Sequence, residues 1–102
     1  MVYTKREKLY NKIYSIEVNV ISLKAQLSSD ASRIGDWAVI KCYEAKLQNK
    51  EPHYDLDKLL ADRQAARDTI NEKQAQIAAI EAEMASMTEE QLNEIVEEIE
   101  QP

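Results

Sequence analysis

The spacing of apolar residues along the chain predicts three main helices. From Leu56 to about Met87 there is no Gly or Pro to end a helix, and apolar residues recur at every third or fourth position. A second stretch with the same spacing runs over residues 5–28, and a third over residues 31–48. In the third stretch the apolar side of the amphipathic helix is expected to consist of Ile34, Trp37, Ile40, Tyr43 and Leu47. Thr4 and Glu7 have the spacing of a capping box, so the first helix is expected to begin near residue 5.

The apolar residues of the first helix alternate spacings of four and three, which is typical of a coiled-coil seam. Tyr10, Tyr14 and Ile21 widen this seam into a face broad enough for two neighbouring helices. The seam can pack on the long helix within one chain or pair between two chains, and both interpretations stay open. A short strand over residues 16–20 is the local alternative, which we reject because no other segment offers a strand to pair with it. The seam residues are Leu9, Ile13, Ile16, Val20, Leu23 and Leu27.

Polar segments separate these helices and supply their caps. The Ser-rich run at residues 28–32 favours a turn, and Pro52 ends the second helix near residue 48. Asp55 or Asp57 can cap the long helix. A second capping box at Thr88 predicts a short, acidic C-terminal helix over residues 89–100. Whether a hinge or only a bend precedes that helix is left open.

The predicted fold is therefore all-α: a helical, coiled-coil-like bundle of three main helices at about 5–28, 31–48 and 56–87, plus a short C-terminal helix at 89–100. The chain is expected to form a single domain over residues 1–102, with residues 88–102 as an acidic helix able to move. Short connections slightly favour an up-down-up arrangement with the first and third helices parallel. An antiparallel arrangement is almost equally acceptable, because both arrangements pair opposite charges.

Composition agrees with a helical protein and excludes several classes. The chain has one Gly, two Pro and no Phe. Cys42 is the only cysteine, which rules out an internal disulfide and indicates a reducing compartment. No apolar run has the length of a signal sequence or a membrane span, so the expected location is the cytoplasm.

The charges divide the sequence into two halves of opposite sign. Residues 1–50 carry nine Lys or Arg and five Asp or Glu, whereas residues 51–102 carry four and fourteen. The net charges are thus +4 and −10, and no basic residue follows Lys73. Such asymmetry can mark a surface for a charged partner, or it can reflect pairing between helices of the same chain.

The sequence lacks the motifs of an enzyme. It has no glycine-rich phosphate loop and no nucleophile motif, and it has a single His. A pairing of Cys42 with His53 is disfavoured because a small thiol beside core residues is ordinarily buried and inert. We therefore predict no catalytic, cofactor or metal site. The basic N-terminal helix resembles a nucleic-acid surface in composition, but an isoelectric point near 4.8 makes direct binding the weaker hypothesis.

Two regions are candidates for binding a protein partner. One is the segment around Trp37, since Trp is frequent at interaction hot spots; the favoured alternative is that Trp37 plugs the end of the bundle while Gly35 allows a close helix approach. The other is the acidic C-terminal helix, which could meet a basic protein that binds nucleic acid; the favoured alternative is that its carboxylates form only a solvated face. The candidate residues are Asp36, Trp37, His53, Tyr54, Glu89, Glu90, Glu94, Glu97 and Glu98.

Four segments carry a resemblance to small uncharacterised helical proteins of bacterial prophages and other mobile elements, and it spans roughly residues 28–85. They are Ile34–Trp37, Ile40–Glu44, Tyr54–Asp55 and Arg63–Asp68. The resemblance implies a bacterial host cell. In that setting small acidic proteins without catalytic motifs are often inhibitors of host defence, including anti-CRISPR proteins, which occupy a surface of a larger complex.

The leading expectation is therefore a non-enzymatic protein-binding module that inhibits a host defence or nucleic-acid enzyme. A homodimeric structural coiled coil and a nucleic-acid binder are the alternatives.

Overall fold

The computed structural model describes residues 2–52 and 55–97, and these residues are predominantly helical, which confirms the all-α prediction. None of the helices described has the length and apolar character needed to cross a membrane. In chain order the elements are strand β1 (Val2–Thr4), helix α1 (Lys5–Ser28), helix α2 (Asp36–Leu47), helix α3 (Leu56–Ala85), helix α4 (Glu89–Leu92) and strand β2 (Ile95–Glu97).

The predicted caps are present and account for where three helices begin. The Thr4 N–H donates to Glu7 Oε1 (2.9 Å), and the Glu7 N–H donates to Thr4 Oγ1 (3.2 Å), which is the reciprocal capping box at the start of α1. Thr88 and Gln91 form the same arrangement before α4. At α3 the cap is Asp55, whose Oδ1 accepts from the Lys58 N–H at 3.1 Å.

Helix α2 begins at Asp36, so the prediction of a helix from residue 31 was wrong. Ser29 Oγ accepts hydrogen bonds from the N–H groups of Ala31 (2.9 Å) and Ser32 (3.1 Å), which holds this segment in a turn. Gly35 then precedes the helix and does not interrupt it. A Cβ at Gly35 would overlap the carbonyl oxygen of Ser29, so the close backbone approach predicted for this glycine exists.

The C-terminal helix is present but ends at Leu92, so its predicted extent to residue 100 was wrong. Residues 95–97 instead pair antiparallel with β1, with Tyr3 opposite Val96 and Thr4 opposite Ile95. The Lys5 N–H donates to the Glu94 carbonyl at 2.8 Å and extends this ladder. The expectation that no segment offers a strand for pairing therefore failed at residues 2–4 and 95–97, although residues 16–20 are helical as predicted. Residues 98–100 lie outside those described.

The chain forms two compact units, which we call the terminal unit (residues 1–18 and 73–102) and the central unit (residues 19–72). In the terminal unit Tyr10, near the start of α1, lines a groove together with Met84, near the end of α3. In the central unit Arg63, near the start of α3, bonds the carbonyl of Leu27, near the end of α1.

Each unit therefore has α1 antiparallel to α3, and the slight preference for a parallel pair was wrong. The reason is the length of α2. Its 12 residues span only about 18 Å, whereas α3 has 30 residues and spans about 45 Å. Helix α2 thus does not carry the chain back along the whole of α1.

The seam of α1 faces inward. Leu9, Ile13 and Val20 are buried, and the other three seam residues, Ile16, Leu23 and Leu27, are half-buried. In the central unit a cluster of Ala38, Cys42 and Leu59 forms a core that Val39 and Leu56 extend. Half of the seam residues are thus buried within one chain.

Candidate functional site

Helix α2 packs through small residues and leaves large apolar residues exposed. Ala38 and Cys42 are almost fully buried, at 1% and 2% exposure. On the opposite side Ile40, Tyr43 and Leu47 lie at spacings of three and four and are 46%, 63% and 68% exposed. We call these three side chains the outward face of α2.

This arrangement is the reverse of the amphipathic helix expected from the sequence. The larger apolar residues, including Ile40, Tyr43 and Leu47, were expected to pack against the rest of the bundle. Ala38 and Cys42 occupy that position because their small side chains let the backbone of α2 come close to Leu59 of α3.

Trp37 lies beside the outward face and does not plug the bundle. Its side chain is 45% exposed. The Lys41 Nζ stands 4.6 Å from the centroid of the indole ring, and the same Nζ lies 3.6 Å from Glu44 Oε1. A cation over an indole at such an exposed position is worth about 0.5–1 kcal/mol. Lys41 therefore favours one orientation of Trp37 at the surface.

Asp36 has a structural partner. Its Oδ1 accepts a hydrogen bond of 2.8 Å from Arg63, a residue that is itself buried. The carboxylate also lies in the first turn of α2, where it meets the positive end of the helix dipole. The pair thus holds the start of α2 against α3, while 59% of the Asp36 side chain stays exposed.

An apolar groove adjoins the outward face in the central unit. It has a volume of about 490 Å³ and lies between α2 and the start of α3. It shares Tyr43 and Leu47 with the outward face, so the two form one continuous apolar surface. The remaining lining residues are Val39, Cys42, Lys46, Leu56 and Leu60.

The predicted acidic surface is not a single helical stripe. Glu89 and Glu90 are exposed in α4, but the helix ends at Leu92 and the chain then continues toward strand β2. Arg6 Nη2 donates to Glu89 Oε2 at 3.0 Å, and Glu94 is exposed just before β2. The side chain of Glu97, and His53, Tyr54 and Glu98, lie outside the residues described.

The predicted partner residues fall in separate units. Asp36 and Trp37 belong to the central unit, and the described carboxylates Glu89, Glu90 and Glu94 belong to the terminal unit. The sequence prediction missed Ile40, Tyr43, Leu47 and Leu60 as surface residues. A signal was present in the small residues Ala38, Cys42 and Ala45, which mark the opposite side of α2 at helical spacing.

The structure also describes the thiol and the basic residues that the sequence analysis singled out. Nowhere in residues 2–52 and 55–97 do three His, Cys, Asp or Glu side chains group so that they could hold a metal ion. The thiol of Cys42 is buried. Among the basic residues of the N-terminal helix, Arg6 is engaged by Asn93 Oδ1 (2.6 Å) and by Glu89. Lys8 and Lys12 line a depression of about 290 Å³ together with Tyr3.

No protein-family model matches the chain, and comparisons with curated proteins and with solved structures likewise give no match. The resemblance to prophage proteins therefore stays a prediction.

Proposed function

We propose that the chain is a non-enzymatic protein-binding module whose contact surface is the outward face of α2. The observation that carries this proposal is the exposure of Ile40, Tyr43 and Leu47 on the side opposite the buried Ala38 and Cys42. Burying a Leu or Ile side chain contributes about 1.5–3 kcal/mol. A 12-residue helix that keeps Ile40, Leu47 and the aromatic Tyr43 exposed gains most from a partner that covers them.

The geometry of this face favours a partner with an apolar groove. Anchors at positions i, i+3 and i+7 are the pattern by which a helix docks into such a groove. Trp37 and Tyr43 belong to the residue types enriched at hot spots. The neighbouring charges are mixed, with Lys41 and Lys46 against Glu44, so affinity for this partner would come mainly from apolar contact.

In the bacterial setting that the sequence suggests, the partner is a host defence protein or nucleic-acid enzyme in the cytoplasm. The module would then inhibit that partner by occupying a functional surface. No cofactor or catalytic step is required for this mode of action.

The test replaces two anchors with charged residues of opposite sign. Ile40→Glu with Leu47→Lys keeps the net charge and leaves the buried side of α2 unchanged. Tagged wild-type protein is expected to recover a partner in fixed stoichiometry from a bacterial lysate. Titration of that purified partner should show binding at least about 100-fold weaker for the double variant, which corresponds to a loss of about 2.7 kcal/mol.

A matched control places the same two charges on exposed apolar positions of the terminal unit. Val2→Lys with Ile95→Glu should leave the affinity unchanged, since both residues lie outside the proposed surface. Circular dichroism establishes that both variants keep their helical content. Equal affinity of wild type and the Ile40/Leu47 variant, or recovery of no stoichiometric partner, would refute the proposal.

The two alternative functions have less support. Pairing of chains through the α1 seam would require residues such as Leu9, Ile13 and Val20 that are already buried within one chain. Nucleic-acid binding through the basic N-terminal helix is weakened because Glu89 already neutralises Arg6. We therefore do not propose either.

A further inference from the structure

We infer a second protein-binding site, in the terminal unit, that accepts a basic amphipathic helix. The first observation concerns α1, whose broad apolar face was expected to contact two neighbouring helices. In this unit α1 buries Leu9 and Ile13, yet Tyr10, Tyr14 and Val18 are 57%, 70% and 46% exposed. These three residues follow one another at spacings of four and lie along one side of the helix. One side of the broad face is thus covered, and the other is open.

The second observation is a groove beside this open side. It has a volume of about 450 Å³ and is bounded by α1, by the end of α3 and by α4. Ile13 is buried at its base, and the half-buried Met84 and Leu92 give it further apolar surface. A groove between two antiparallel helices is where a third helix packs in a helical bundle. The shape therefore selects a helix with apolar side chains along one face.

The third observation is the charge at the rim of the groove. Glu17 of α1 and Glu81 of α3 are its charged lining residues, and both are exposed. Neither carboxylate has a hydrogen bond or an ion pair with any residue that the structure describes. In the sequence no Lys or Arg lies between Lys12 and Lys24, and none follows Lys73. A helix that fills this groove can therefore pair its own cations with these two carboxylates.

Together these features define the partner by its chemistry: a helical segment with Leu-like anchors on one face and Lys or Arg beside them. A second copy of this chain does not fit this description. The seam of its α1 is buried within the chain, and its α2, although apolar residues are exposed there, carries two acidic residues (Asp36, Glu44) for its two basic ones (Lys41, Lys46). The basic helix that the rim selects is therefore a segment of a different protein. This site does not depend on the outward face of α2, and it adds a charge-selective contact to the apolar contact proposed there.

A designed peptide pair tests the inference. The probe is a fluorescein-labelled 18-residue peptide. Leu recurs along one helical face at positions i, i+3, i+4 and i+7, and every other position is Lys. Its counterpart carries Glu in place of every Lys. Fluorescence anisotropy with the full-length protein should show saturable binding of the Lys peptide and none of the Glu peptide, and added salt should weaken the binding because the rim contacts are ionic.

Three double variants distinguish binding at this groove from general attraction to an acidic protein. Glu17→Lys with Glu81→Lys should weaken binding by at least about tenfold, which corresponds to about 1.4 kcal/mol. Glu51→Lys with Glu72→Lys makes the same change in net charge at exposed positions of the central unit and should have little effect. Tyr10→Ser with Tyr14→Ser removes apolar contact without a change in charge and should also weaken binding.

Two kinds of result would contradict this binding site. Equal weakening by both Glu-to-Lys pairs, or binding that ignores the two tyrosines, would show nonspecific attraction and overturn the inference. Sedimentation that shows a dimer of the wild-type protein, separated into monomers by the tyrosine substitutions, would identify a second copy as the occupant and overturn it too. The Ile40→Glu, Leu47→Lys variant should bind the peptide normally, so failure at one surface is distinguishable from failure at the other.

Discussion

Arg63 is a buried charge whose hydrogen bonds join three parts of the central unit. Its Nη1 donates to the carbonyl oxygens of Leu27 (3.2 Å) and Ile34 (2.8 Å), and its Nη2 donates to Asp36 Oδ1 (2.8 Å). The planar guanidinium suits several acceptors at fixed angles. Since Leu27 lies in the last turn of α1, the positive charge also meets the negative end of that helix dipole.

Replacement of Arg63 by Ala is expected to lower the free energy of unfolding by about 2–3 kcal/mol, because two backbone carbonyls and one carboxylate lose a charged donor. The figure is modest because the Asp36 side chain is more than half exposed and solvent screens its share. Arg63→Lys should recover less than half of the loss, since one ammonium cannot reach all three acceptors in the same geometry. Urea unfolding followed by circular dichroism measures both variants.

The control for this prediction is Arg67→Ala, one turn further along α3. Arg67 is exposed, so its substitution should change the free energy of unfolding by less than about 0.5 kcal/mol. A loss at Arg67 as large as that at Arg63 would contradict the role assigned to the buried guanidinium.

At the scale of elements, α2 shows that hydrophobic size alone does not determine which side of a helix is buried. Both sides of α2 carry apolar residues. Its periodicity is consistent with either orientation, and the close approach of α2 to α3 selects the side with Ala38 and Cys42.

If α2 is buried through Ala38 and Cys42, two substitutions in this helix should lower the free energy of unfolding by very different amounts. Ala38→Leu should destabilise the protein by about 1–3 kcal/mol, because three extra carbon atoms enter a closely packed contact with α3. Leu47→Ser removes a side chain that is mostly exposed and should cost less than about 0.5 kcal/mol apart from helix propensity. Thermal or urea unfolding compares them. The reverse order of stabilities would mean that α2 is buried through its large residues.

The sequence predicts best those structural features that depend on residues close together along the chain. The bounds of α1 and α3, and the caps at Thr4, Asp55 and Thr88, depend on residues a few positions apart, and the structure agrees with them. The strands at residues 2–4 and 95–97 depend on pairing between opposite ends of the chain, which no local pattern records. Of the candidate surface, Trp37 was identified from its residue type, whereas the exposed Tyr43 and Leu47 were assigned to the core because burial is a tertiary property.

At the scale of the whole molecule, the direction of α1 relative to α3 was the feature that the sequence determined least. Both directions place basic residues of α1 opposite acidic residues of α3, so charge pairing did not distinguish them. The contacts that do so are specific, namely Arg63 with Leu27 in the central unit and Tyr10 beside Met84 in the terminal unit.

A pair of spin labels tests the antiparallel arrangement within the central unit. Gln26, near the end of α1, and Lys58, near the start of α3, line the same groove, so labels on cysteines placed there should lie within about 20 Å of each other. A parallel pair would separate them by most of the length of α1, about 30 Å. Dipolar electron paramagnetic resonance on a Cys42→Ala background measures this distance, and a value near the larger figure would exclude the antiparallel arrangement.

The burial of Cys42 makes its thiol a probe of how often α2 moves away from α3. The chain has a single thiol, which is 2% exposed on the side of α2 that contacts α3, so rapid alkylation requires α2 to move away from α3 or the protein to unfold. The rate of alkylation thus depends on how often α2 separates from α3, and it can be measured without an introduced label. A partner on the outward face of α2 would slow alkylation in two ways, by keeping α2 against α3 and by covering the groove that Cys42 lines.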